Sequence, residues 1–360
     1  MCRISIKKNN LILCFVLIFE TILIKFLQYK IFSEKYFFDS KKILAVMNGS
    51  TVTDKGYSFT ANFFNCVNFF HLNSIKQWSV LISFFSLVVF LIYFSRKELD
   101  VTSYIYIGVS FALMNIYVFN LSKDIIQLII FMIVYYIYSM KNIAEIKKVF
   151  LSVVIFIIES FYFRSYYLII GILDIIFYCI YIYFFNAKKK NTFFSCVIYF
   201  LLFIFMIYIL QMISNENYII LVNTRNNSNL YRDSADAFTM IKDFFPNISF
   251  SYFLLNYIIN AFRILFPVEL FVKGYKYIPF IIFQIFFSIV LLKNAVNIKR
   301  EKAIYIFLLM SFILVSIIYE PDFGSVIRHE SVLMLFVLKI LEKKKGYKKN
   351  EKSISNYTNI

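Results

Sequence analysis

Histidine occurs twice in these 360 residues, tryptophan once, proline four times and glycine seven times. Each scarcity removes a class of protein. The two histidines, His71 and His329, are far apart and lie near none of the five cysteines. No CxxC pair occurs among Cys2, Cys14, Cys66, Cys179 and Cys196, so neither a zinc site nor a disulfide framework is read. Few prolines and glycines leave little to interrupt long helices. Charge is scarce too, at 16% of residues, where about 25% is usual. What fills the chain is apolar: 61% hydrophobic residues, including 46 Phe and 28 Tyr. A soluble globular enzyme could not keep so much apolar surface from water. A disordered chain would be poor in these aromatics.

The formal net charge of +17 looks at first like a nucleic-acid signal. Its distribution says otherwise. Lys and Arg collect in short runs between apolar stretches, as the positive-inside rule requires, and no stretch is polar enough to form a basic soluble domain. No nucleic-acid partner is expected. The apolar stretch 11–28 follows Arg3, Lys7 and Lys8, but no small-residue cleavage site follows it. It reads as an uncleaved first span.

The fold class expected is all-α, a polytopic transmembrane bundle of about ten spans. The spans are read at 11–28, 77–94, 103–119, 124–140, 149–163, 166–185, 192–213, 278–292, 303–319 and 331–341, within a single integral membrane domain. The segment 251–272 decides the topology. If it does not span, the basic runs between spans fall on one side at nearly three times the density of the other. Its own pattern agrees: Asn256, Asn260 and Arg263 make one polar stripe of a helix, and Pro267 then breaks it. It is read as interfacial or re-entrant. Both termini are then cytoplasmic, with outer loops at 29–76 and 214–277 and a charged tail at 342–360. Phe63, Val67 and Phe70 mark a second interfacial helix, and 214–250 is the most polar loop.

Candidate chemistry sits at the outer ends of the spans. Short hairpin tips carry Lys123-Asp124, Arg164, and the turn Glu320-Pro-Asp322-Phe-Gly-Ser-Val-Ile-Arg328-His329-Glu330. With Arg225, Arg232 and Arg263 they collect five arginines and several carboxylates on one face. An arginine at a span end can simply snorkel to the headgroups. As a cluster, the arginines suit the phosphate oxygens of a lipid-linked phosphate or diphosphate, which a guanidinium fork binds bidentately. His329, Glu330, Asp322 and Asp39 are candidate general bases for an attacking hydroxyl. Glu20, Glu159 and Asp174 are acids within spans, where such groups are either functional or paired for packing.

Ten or so spans, a Phe38-Asp39-Ser40 in the first outer loop and an Arg328-His329 turn near the last span together resemble the Wzy-type O-antigen and polysaccharide polymerases, in the EpsG-like branch. The resemblance implies a glycosyltransferase of a bacterial inner membrane that uses no cofactor. Its substrate would be an oligosaccharide on undecaprenyl diphosphate, polymerised at the periplasmic face. Membrane lipids, a chain-length regulator and a flippase would be its partners. Asp39, Arg164, Arg328 and His329 match the family's positions, and Arg225 and Arg232 are placed in its arginine-bearing outer loop. A flippase or transporter of the same lipid-linked glycan is the alternative.

Overall fold

The computed structural model describes residues 8–185, 192–230, 239–247 and 249–342. Among them the chain is helical, and the one β feature is an isolated bridge between Met240 and Asp322. In chain order the helices are α1 (Lys8–Ile31), α2 (Phe38–Met47), α3 (Lys55–Cys66), α4 (Ile75–Ser95), α5 (Val101–Tyr117) and α6 (Lys123–Ser139). Next come α7 (Glu145–Tyr162), α8 (Tyr167–Ile180), α9 (Thr192–Ile213), α10 (Asn215–Leu230) and α11 (Phe250–Leu265). The last are α12 (Glu269–Val272), α13 (Ile278–Val296), α14 (Ala303–Tyr319), α15 (Phe323–Ser331) and α16 (Met334–Leu341).

Among the described residues, four helices are long and apolar enough to cross a membrane: Asn10–Ile31, Ile75–Ser95, Ile278–Val296 and Arg300–Tyr319. Shorter apolar helices stand at Val101–Tyr117, Tyr167–Tyr183, Val197–Ile213 and Phe250–Leu265. α14 is the axis of the bundle. It is apolar on every face and nearly every residue is buried, which is how an all-round hydrophobic helix is accommodated. α1 lies at the periphery and leaves Ile12, Phe15, Ile22 and Phe26 exposed. Exposed apolar surface continues over Phe84 and Phe85 of α4, Phe150 and Ile158 of α7 and Ile282 and Ile289 of α13, more than a chain in water would tolerate.

Helix starts follow local chemistry. Ser74 and Gln77 form a capping box at α4, Asp100 accepts from the Ser103 N–H at α5, and Asp54 accepts from the Gly56 N–H at α3. Lys25, in the middle of an apolar stretch, closes the end of α5 instead. Its Nζ donates to the carbonyls of Asn115 at 2.6 Å and Phe119 at 2.7 Å.

Four expectations are corrected. The stretch 331–341 is not one helix: α15 and α16 are separated at Val332 and Leu333, and α16 has eight residues. A helix of that length rises about 12 Å, well short of a bilayer core of about 30 Å, so a tenth span takes α15 as well as α16. The polar stripe of α11 does not face headgroups, because Asn256 and Asn260 are buried against the preceding loop while Phe262 and Leu255 face out. The polar segment 214–250 is a helix over its first half, α10, rather than a loop. Helix α3 carries Phe63 but stops at Val67, so Phe70 and His71 lie in the turn beyond it, where His71 has φ 50°.

Candidate functional site

Four segments distant in sequence meet at one end of the bundle. Asp39 stands in the first turn of α2 and Asp124 in the first turn of α6. Arg164 occupies the turn between α7 and α8, and Glu320 directly follows α14. Arg328 and His329 lie on α15, whose orientation is set by its N-cap: the Asp322 carboxylate accepts from the Ser325 N–H at 2.8 Å.

Asp124 is the hub. Arg164 Nη2 is 3.3 Å from its Oδ1, Arg328 Nε 3.1 Å from its Oδ2, and His329 Nε2 3.4 Å from its Oδ1. Arg328 reaches onward, with Nη1 3.1 Å from Asp39 Oδ2. The Tyr57 hydroxyl donates to the other oxygen of Asp39. Arg164 Nη1 donates to Gln127 Oε1 and to the Tyr166 hydroxyl, both at 3.1 Å. His329 Nδ1 lies 2.8 Å from Glu320 Oε1, which also accepts from the Tyr166 hydroxyl at 3.4 Å. Asp124, Glu320 and His329 are all buried.

Electrostatics follow from this packing. Burial pushes the Glu320 carboxyl up, but His329 and Arg164 outweigh it and hold the group at about 2 instead of the ordinary 4.5. Burial also opposes ionisation of Asp39, and the Arg328 charge with the Tyr57 hydrogen bond overcomes it, so that carboxyl stays below its usual value. Several contacts at Asp124 are close enough for ion pairing yet not aligned as hydrogen bonds. Asp124 Oδ2, Gln127 Nε2, Arg328 Nε and His329 Nε2 are buried with no hydrogen-bond partner among the described residues. Such concentration in one spot is unusual, since nearly all buried polar atoms in folded proteins are satisfied.

Of the expected site residues, Asp39, Arg164, Arg328 and His329 converge. Arg232 lies outside the described residues. Asp322 is spent on the cap of α15. Glu330 points the other way, accepting from the Gln284 amide of α13 at 3.1 Å. Arg225 and Arg263 belong to a neighbouring cluster. Arg225 is buried, donates from Nε to the Glu320 carbonyl at 3.1 Å and pairs with Asp243 at 3.2 Å. Arg263 makes a two-pronged pair with Glu269 at 2.9 and 3.0 Å. Among the described residues, Arg164, Arg225, Arg263 and Arg328 each meet a carboxylate.

Two central residues escaped the sequence reading. Asp124 and Glu320 both sit in hairpin tips noticed for their charge, one beside Lys123 and the other two residues before Asp322. An acid at the start or end of a span was the available signal. The intramembrane acids divide. Asp174 accepts from the buried Tyr138 hydroxyl, a packing pair, whereas Glu20 opens on a groove of about 1180 Å³ between α1, α5 and α13. That groove is lined by Val16, Gly108, Ala112 and Phe280, and extends to Ser33 and Tyr36, a few residues before Asp39.

No family model, no curated protein and no solved structure matches this chain.

Proposed function

We propose that this chain is a multi-pass glycosyltransferase of a bacterial inner membrane, a Wzy-type polymerase with about ten spans and cytoplasmic termini. It joins oligosaccharide repeat units carried on undecaprenyl diphosphate at the periplasmic face. One observation carries the reading. Asp39, Asp124, Arg164, Glu320, Arg328 and His329 come from four separate segments into one ion cluster at the end of an apolar bundle. Packing alone does not require that. Ending a span needs one anchoring cation, not a buried network with unused hydrogen-bonding atoms.

The roles follow from the chemistry of each group. His329 takes the proton of the acceptor sugar's hydroxyl, and Glu320 at Nδ1 orients its ring, the base-and-orienter arrangement of nucleophile activation. The hydroxyl oxygen bonds to the anomeric carbon of the growing chain as that carbon's bond to the diphosphate breaks. Negative charge grows on the leaving undecaprenyl diphosphate, where Arg164 and Arg328 stabilise it. Asp39 and Asp124 hold both guanidinium groups in place beforehand. The lipid chain lies along the apolar groove between α1 and α5.

Deleting the gene and resolving the surface polysaccharide on a gel tests the reading. A polymerase null leaves single repeat units on the lipid anchor outside the cell. Loss of all external repeat units would make the chain a flippase, and an unchanged ladder would remove it from the process.

A further inference from the structure

Arg225 was expected to bind phosphate, but it is buried on α10 and its side chain turns towards the backbone of the site. We infer that Arg225 is a positioning residue: with Asp243 it clamps the Glu320 turn and so sets where Glu320 holds the ring of His329. The inference rests on the reading of His329 as the base.

The clamp grips the turn at adjacent points. Arg225 Nε donates to the Glu320 carbonyl at 3.1 Å. One residue on, the Ile241 N–H donates to the Pro321 carbonyl at 2.9 Å, and the Phe323 N–H donates to the Thr239 carbonyl at 3.0 Å. The isolated bridge between Met240 and Asp322 is this same contact. Segment 239–243 thus lies as a short strap along the turn between α14 and α15. The carbonyl of Glu320, beyond the last turn of α14, has no helical donor, and Arg225 supplies one.

The far end of the clamp is equally built. Asp243 Oδ1 accepts from the Asn260 amide at 2.7 Å, and Oδ2 from the Asn247 amide at 3.0 Å and the Asn226 amide at 3.3 Å. Asn256 holds the strap's continuation, accepting from the Phe244 and Phe245 N–H groups at 3.1 and 3.0 Å. The polar stripe of α11 therefore serves to fix Asp243, which fixes Arg225, which fixes the Glu320 backbone. From there the Glu320 carboxylate reaches Nδ1 of His329 at 2.8 Å. Moving the backbone of Glu320 moves the carboxylate that meets Nδ1 of the imidazole, while Asp124 stays at Nε2.

The chain's two histidines make this directly measurable. Protein labelled with 15N-histidine, in nanodiscs and carrying His71→Gln, shows ring-nitrogen resonances from His329 alone. In that background Arg225→Gln should shift those resonances or split them into two tautomer patterns, and Asp243→Asn should move them in the same sense by less. Emission from the single, buried Trp78 reports whether each variant has folded. If Arg225→Gln does not fold, Asp243→Asn alone decides, being nearly isosteric. Unchanged His329 resonances in a folded variant would overturn the inference. The glycan assay separates the two readings. Altered resonances in a protein whose deletion leaves the ladder intact would keep the clamp and discard the polymerase. A lost ladder with unmoved resonances would do the reverse.

Discussion

At the scale of single residues, the decisive feature of Arg164 and Arg328 is that each meets more than one partner. Arg328 spans Asp39 and Asp124, and Arg164 spans Asp124, Gln127 and Tyr166. A lysine keeps the charge but is a point donor without the planar fork. Arg164→Lys and Arg328→Lys are each expected to abolish long-chain glycan while the protein stays in the membrane, seen on a polysaccharide gel beside a blot of the membrane fraction. Normal ladders in both would make these residues anchors at span ends. Glu320 gives a pH prediction. Its carboxyl is held down to about 2 from an ordinary 4.5, so it stabilises the fold above the ordinary value and loses that contribution as pH falls through the lower one. The difference corresponds to about 3 kcal/mol between about pH 4.5 and pH 2. Thermal unfolding in nanodiscs should show stability falling over that window, with a shallower fall in Glu320→Gln. Equal slopes would mean that other carboxylates carry the acid response. The sequence showed Arg164, Arg328, His329 and Asp39 because charge in an apolar chain is conspicuous. It did not show that carboxylates already hold the arginines, because pairing is a matter of distance across segments.

At the scale of elements, the smallest helix of the site depends on its first residue. Asp322 caps α15, and a Cβ at Gly324 would come within 3.0 Å of the capping oxygen, so glycine leaves that carboxylate room. Replacing a capping acid by alanine costs about 1 kcal/mol. Asp322→Ala should lower the unfolding temperature and reduce glycan length, and Asp322→Asn should recover most of both, since the amide oxygen still accepts. A result with Asn as damaging as Ala would return Asp322 to the list of candidate bases. α11 shows what periodicity can and cannot say. Its polar stripe was legible as a three-four spacing of Asn256, Asn260 and Arg263, and the helix is there. The direction of that stripe was not legible, because headgroups and a buried strap are both polar partners. α10 was read as loop because it falls in the most polar stretch of the chain. In the fold it is a helix with Arg225 buried beside Glu320.

At the scale of the whole molecule, the topology yields a direct measurement. Single cysteines at Thr53 and Asn297, both exposed, can be probed in cells where the five native cysteines have been replaced by serine. A membrane-impermeant reagent applied outside should label position 53 and not position 297. Labelling of 297 from outside would dismiss the ten-span arrangement. By itself the sequence determined the class of molecule, an all-helical chain rich in apolar helices, because composition and run length set how much surface must leave water. The starts of α3, α4, α5, α11 and α15 are local too, since a side-chain cap needs only its own next three residues. The tertiary structure alone decided the rest. Val332 and Leu333 divide the end of the bundle into α15, which carries Arg328 and His329, and α16. Asp124 became the hub, and Arg225 was buried against the Glu320 turn. Each of these depends on contacts between residues tens to hundreds of positions apart. Local propensity and hydropathy are sums over neighbours in sequence, whereas an ion pair depends on neighbours in space.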